Sequence, residues 1–365
     1  MSSDPRIIVD AHQDIAYNAL DYGRDFLQSA YHKRKLEQNT DVPSRNGIAT
    51  SGLPDLLLGR VGIVFATIYA TPEWAKLDPL ETGYQTPAEA HKMGMAQVDY
   101  YHKLADTTDR IVLVRTQSDL QKVLNSWADG VDFEQHKVGF VLLIEGADPI
   151  REPKAFEEWY DRGVRICGPA WSETRYSGGT SRNGRGPGPL TALGRELLEV
   201  MAGFNAVLDL SHMSEESFLE ALDRYEGVVI ASHSNPRTSR DTDRHLTDEM
   251  IRRLAEHDGV MGAVPFNSFL RRDFMRGDAK AKTPIRHVIE AIDHVCQIVG
   301  SVRHVGIGSD FDGGFGYDHI PAEMDTIADL NLIAEGLKVR GYSADDVQLI
   351  MSGNFLRVLR ATLPR

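Results

Sequence analysis

Along the chain, short continuous runs of Val, Ile and Leu alternate with segments whose apolar residues recur every three to four positions. The continuous runs read as strands buried on both faces, because a half-exposed strand would alternate apolar with polar residues. Eight such runs stand out, at residues 7–11, 61–69, 139–145, 164–168, 206–211, 227–232, 259–265 and 304–309. The periodic segments read as amphipathic helices. Residues 191–204 place Leu193, Leu197, Leu198, Met201 and Ala202 at helical spacing, and 287–299 do the same with Val288, Ala291, Ile292, Val295 and Ile298. Ser214 stands where an N-cap is wanted before Glu215-Glu216, and Thr247-Asp248-Glu249 opens another helix. Strand and helix alternating eight times predict an α/β fold, a (β/α)8 TIM barrel. A doubly wound open sheet competes, but no Gly-rich phosphate fingerprint follows the first run.

Two segments exceed a minimal barrel. Residues 22–57 form a long mixed insertion after strand 1. Residues 71–131, after strand 2, carry a helix at 88–104, a strand-like run at 111–114 and a further helix. No Pro/Ser-rich linker or low-complexity tract isolates either segment, so one domain spanning 1–365 is expected, with insertions after strands 1 and 2.

Composition narrows the function classes. With 42% hydrophobic residues the chain can bury a sizeable core. Fifty-three acidic against 40 basic residues give a formal charge of −13, which disfavours a nucleic-acid binder. The two cysteines, Cys167 and Cys296, lie outside any Cys-x-x-Cys spacing, so buried thiols are expected ahead of a disulfide or a thiolate metal site. No basic-then-apolar leader precedes the first run, and no apolar run approaches the length of a bilayer span. A cytoplasmic protein without a membrane partner is the corresponding expectation.

The strand ends carry the chemistry. Asp10-Ala11-His12-Gln13-Asp14 puts His12 and Asp14 two residues apart, facing the same way on extended backbone. Glu145 closes an apolar run in Ile144-Glu145-Gly146, where a buried carboxylate needs a cation or a partner. A bridge between two metals is one reading, and a salt bridge to Arg165 is the other. His212 and His233 follow Ser211 and Ser232 after two further runs and read as ligands for a second metal. Asp310 ends the eighth run in Gly308-Ser309-Asp310-Phe311-Asp312-Gly313, placed to move a proton. Asp312-Gly313 reads as the turn, with the left-handed conformation at the glycine. In a parallel barrel all strand C-termini share one face, so imidazoles and carboxylates from residue 12 to residue 310 converge on one pocket. Imidazole with carboxylate suits zinc and similar divalent ions. This pattern argues for a metal-dependent hydrolase.

In this order, these motifs, with Ser232-His233-Ser234 and Arg244, resemble the membrane dipeptidase family of the amidohydrolase superfamily, over nearly the whole chain. The resemblance implies a (β/α)8 barrel with two Zn2+ per chain. His12 and Asp14 would hold the first ion, Glu145 would bridge, and His212 and His233 would hold the second. Asp310 would be the catalytic acid/base, with Arg244 gripping the terminal carboxylate of a dipeptide or related small amide. The family's histidine after strand 4 is missing; Trp171 falls there, within Trp171-Ser172-Glu173-Thr174-Arg175-Tyr176. An indole donates one hydrogen bond and cannot become cationic, so Arg175 and Tyr176 are further substrate-binding candidates. N-acyl amino acids, lactones and phosphate esters are alternative substrates for the same machinery. A non-catalytic binding module on the same fold is the rival of a different class. The oligomeric state stays open, a homo-oligomer included.

Overall fold

The computed structural model describes residues 6–76, 78, 81–275 and 277–365. Its parallel strands are β1 (Ile8–Gln13), β2 (Val61–Tyr69), β3 (Ile111–Leu113), β4 (Val138–Glu145) and β5 (Val164–Gly168), followed by β6 (Val207–Asp209), β7 (Val229–Ala231), β8 (Val260–Ala263) and β9 (Val305–Ile307). The sheet runs β2-β1-β9-β8-β7-β6-β5-β4, and pairing of β2 with β4 closes it into an eight-stranded barrel. The closing register, from Ile63 opposite Gly139 to Tyr69 opposite Glu145, aligns the C-terminal ends of both strands. The continuous apolar runs have the expected cause: every residue of β2 and β4 is buried, between barrel interior and helical shell.

The strand-like run at 111–114 becomes β3, outside the barrel, pairing only with the first half of β4. β5 takes over that edge from Leu142 onward. Helices form where spacing and caps place them. Thr191, Ser214 and Thr247 each accept the N-cap hydrogen bond, opening Ala192–Gly203, Glu215–Arg224 and Asp248–Glu256. Cys167 and Cys296 are free and buried. No helix among the described residues is long and apolar enough to cross a membrane.

The two insertions position the barrel mouth. Residues 15–58 fold into four short helices. Thr50 and Ser51 from this segment donate to the Asp312 carboxylate at 2.6–3.2 Å, pinning the loop that carries Asp310. In the second insertion the helix Pro87–Thr107 opens on a capping box between Thr86 and Glu89.

Candidate metal centre

His12 and Glu145 lie within strands, in β1 and at the end of β4; Asp14 follows β1 directly, at the N-cap of the helix Ile15–Tyr22. Asp14 makes no capping bond; its carboxylate instead accepts from Thr67 inside the barrel. For His212, His233 and Asp310 the strands stop earlier than the sequence runs suggested. β6, β7 and β9 end two or three residues before His212, His233 and Asp310. His212 and Asp310 sit in the left-handed region, with φ of 64° and 57°. Such backbone is strained for a residue with a Cβ and costs about 1–3 kcal/mol, which surrounding packing must offset. The Asp312-Gly313 expectation is corrected here: Asp310, Asp312 and Gly314 take the left-handed conformation, and Gly313 does not. Gly313 is needed for closeness instead, since a Cβ there would collide with the Asp310 carboxylate and press on that of Asp14.

The structure brings His12, Asp14, Glu145, His212, His233 and Asp310 together. Glu145 stands at the middle. Its Oε1 faces His212 Nε2 at 3.2 Å and His233 Nε2 at 3.3 Å, while Oε2 faces His12 Nε2 at 3.6 Å. His12 Nε2 is also 4.0 Å from Asp14 and 3.9 Å from Asp310. Two overlapping groups could each hold an ion, His12-Asp14-Glu145 and Glu145-His212-His233. Arg165, the alternative partner for Glu145, instead donates to the carbonyls of Arg115, Tyr160 and Val164.

The electrostatics match a cluster built around a cation. Burial pulls the His12 imidazole down, but Glu145, Asp14 and Asp310 outweigh it and raise it to about 10. Burial opposes ionisation of Glu145, yet the three histidines hold it well below the usual carboxylate range. Burial pushes Asp310 well above that range, with Asp14 and Glu145 adding to the effect against His12. Burial and Arg244 lower His212 to about 4, so it offers a neutral, lone-pair-bearing nitrogen. His12 Nε2 is buried without a hydrogen-bond partner. A buried imidazole nitrogen without a partner among carboxylates is a donor that fits a metal ion.

A brace unforeseen from sequence lies behind the ligands. Asp209 Oδ1 accepts the backbone N–H of Ser211 at 3.0 Å and of Ser232 at 2.8 Å, and Oδ2 accepts the Ser232 hydroxyl at 2.5 Å. Ser232 Oγ in turn lies 2.8 Å from His233 Nδ1 and 3.4 Å from His12 Nδ1. Asp209 falls within another possible ion-holding group, with His12 and His233, but these three bonds occupy its oxygens. Asp10 repeats the device one strand pair away, accepting the backbone N–H and hydroxyl of Ser309, both at 2.6 Å. The sequence signal was a serine before three site residues, Ser211-His212, Ser232-His233 and Ser309-Asp310.

Of the substrate-binding candidates, Arg244 and Trp171 border the centre. Arg244 is 7% exposed; it donates to the His233 carbonyl at 2.7 Å and to Ser234 Oγ at 3.3 Å, leaving Nε unpartnered. The Trp171 ring lies 6.1 Å from that of His212 and 5.1 Å from that of Tyr69. Arg175 and Tyr176 point elsewhere. Arg175 is bound to the carbonyls of Ile150 and Arg151, and pairs with Asp148. Tyr176 is fully buried and gives its hydroxyl to the Ile150 carbonyl at 2.5 Å.

A closed parallel barrel with a buried histidine–carboxylate cluster at its C-terminal mouth defines a metal-dependent hydrolase. The chain belongs to the membrane dipeptidase family (peptidase family M19), whose model matches residues 4–363. An uncharacterized protein from Klebsiella pneumoniae, in the pqqA 5' region, is 32% identical over 62% of this chain and 83% of its own length. An uncharacterized dipeptidase of Schizosaccharomyces pombe is 25% identical over 97% of this chain and 80% of its own. A solved metallopeptidase from Rhodobacter sphaeroides, liganded with a phosphinate mimic of the dipeptide L-Ala-D-Ala, superposes with a TM-score of 0.77 at 24% identity, covering 98% of this chain and all of that one.

Proposed function

We propose that this enzyme is a binuclear zinc-dependent dipeptidase, hydrolysing a small amide whose leaving portion carries a free carboxylate. The observation that supports it most is the split of Glu145, one oxygen toward two imidazoles and the other toward His12. The donors fit two ions: His12, Asp14 and Glu145 would hold one, and Glu145, His212 and His233 the other. Five protein ligands exceed what one tetrahedral zinc with an open position takes. When bound, such a pair polarises a carbonyl and acidifies a water.

The chain's own groups supply the rest. Asp310 removes a proton from the attacking water and returns it to the departing amine nitrogen; its position 3.9 Å from His12 Nε2 puts it at the edge of the proposed centre. Arg244, held by the His233 carbonyl and carrying a free buried Nε, receives the substrate carboxylate. Trp171 covers the His212 side and limits water access without moving a proton. The carboxylate anchor favours dipeptides and N-acyl amino acids over lactones and phosphate esters. Zinc analysis of metal-loaded protein, with a panel of L-L, L-D and D-D dipeptides and N-acyl amino acids, tests this reading. Two zinc ions per chain and dipeptide hydrolysis are expected. A ratio at or below one with His212 and His233 intact overturns the binuclear centre.

A further inference from the structure

A second arginine stands at the mouth with no carboxylate to meet it. Arg182 stacks over the Trp171 ring at 4.8 Å. Its Nη2 donates to the Ala75 carbonyl at 3.1 Å, its Nε is buried without a partner, and it forms no ion pair among the described residues. Trp171 links it to His212 and so to the metal centre. Arg244 approaches from behind His233, after β7, whereas Arg182 approaches over Trp171 and Tyr69, at the ends of β5 and β2. The two guanidinium groups therefore serve different sides of the centre.

The turn that carries Arg182 presents a second cation. Asn183 and Gly184 have φ of 50° and 78°, the signature of a tight hairpin, and Arg182 and Arg185 exchange backbone hydrogen bonds at 2.7 and 2.9 Å across it. Residues so paired point their side chains to one face. Arg185 lies 5.0 Å over the Trp74 ring, with no ion pair among the described residues.

Beside this hairpin, at the C-terminal ends of β2 and β4, is a cavity of about 460 Å3 lined by Pro72, Trp74, Tyr84, Asp148, Arg175 and Arg185. That size suits a small ligand or part of one. Its acidic groups are already answered: Asp148 accepts from Tyr84 at 2.6 Å and pairs with Arg175, and Glu73 pairs with Lys76. The charge left over in the lining is that of Arg185, with Arg182 paired to it across the hairpin.

We infer that the residue of the substrate distal to the Arg244-bound carboxylate carries its own carboxylate, received by Arg182 and Arg185 at the edge of this cavity. This rests on the dipeptidase reading. The substrate class is then an acidic dipeptide, with Asp or Glu at its N-terminal position. A guanidinium–carboxylate contact is the strong, geometrically specific form of such recognition.

The test compares aspartyl-alanine with its neutral isostere asparaginyl-alanine, alongside alanyl-alanine, on zinc-reconstituted protein. A charge-assisted hydrogen bond should favour the acidic peptide in kcat/KM by roughly ten- to a hundredfold. Arg182→Gln should collapse the ratio toward one, and Arg182→Lys should restore part of it; retained zinc content checks that each variant is folded. The wild-type ratio stands even if a variant does not fold. Cleavage of the acidic and neutral peptides at equal rates overturns the acidic subsite and leaves the dipeptidase reading intact. Failure to cleave any of the three overturns the dipeptidase reading, and this inference with it.

Discussion

Replacing Asp209 by Asn should weaken one metal site while leaving every proposed ligand in place. The reason lies in a single proton. The Ser232 hydroxyl is 2.5 Å from Asp209 Oδ2, so its hydrogen goes to that carboxylate. Ser232 Oγ then has lone pairs facing His233 Nδ1 at 2.8 Å and His12 Nδ1 at 3.4 Å. The neutral His233 imidazole therefore carries its hydrogen on Nδ1 and turns a bare Nε2 toward Glu145, as a metal ligand requires. In Asp209→Asn the amide oxygen can keep the backbone N–H bonds from Ser211 and Ser232, but the NH2 group cannot accept the hydroxyl hydrogen. The nearest acceptor left to the Ser232 hydroxyl is His233 Nδ1 at 2.8 Å, ahead of Ser211 Oγ at 3.3 Å, and donation there moves that ring's hydrogen to Nε2 and blocks its lone pair.

Undoing that arrangement for metal binding sacrifices one or two buried hydrogen bonds, about 1–3 kcal/mol. Loss of a partner behind a ligand costs on the order of 10- to 100-fold in affinity, about 1.4–2.8 kcal/mol. The site held by His212 and His233 should lose that much. The His12 site should change less, because its Nδ1 contact with Ser232 is 3.4 Å. Competition against a chromophoric zinc chelator resolves the two affinities, and nitrogen chemical shifts in the zinc-free protein report the tautomer of His233. Two zinc affinities within about twofold of wild type, with His233 still protonated on Nδ1, would refute the reasoning.

Two further outcomes follow from the centre. Asp310→Asn keeps shape and removes the proton acceptor, so kcat should fall by about 10²- to 10⁴-fold with zinc content retained; turnover near wild type would remove Asp310 from proton transfer. Arg244→Ala should weaken substrate binding by about 1.5–3 kcal/mol, and amidating the substrate carboxylate should cost wild type a similar amount and the mutant little more. That non-additivity separates carboxylate recognition from the contact Arg244 makes with the His233 carbonyl, and additive losses would deny Arg244 the anchoring role.

The barrel was legible because its strands are buried on both faces and must be apolar throughout; the run at 61–69 coincides with β2 residue for residue. Legibility fell off at the strand ends. Apolar composition continues through Leu210 and Val264, but the ladders stop at Asp209 and Ala263. Left-handed backbone at His212 and Asp310 could not be read from residue type, since neither is glycine. Arg175 and Tyr176 were attractive as polar neighbours of Trp171. Sequence proximity says nothing of direction, and both side chains turn to the 148–151 loop.

The ligands and the groups behind them differ in how a sequence displays them. A ligand sits at a strand end, and parallel topology alone guarantees convergence, so His12, Glu145 and His233 could be grouped before any contact was known. A bracing residue works across one strand pair: Asp209 of β6 acts on Ser232 after β7, and Asp10 of β1 acts on Ser309 after β9. Naming those pairs requires the strand order, which for β1 and β9 joins opposite ends of the chain. Arg182 is harder still, because its hairpin hangs from the loop after β5 and meets the segment after β2 across the mouth. What would select the substrate rests on loop-to-loop contacts that strand periodicity does not encode, whereas what would hold the metals is set by the barrel itself.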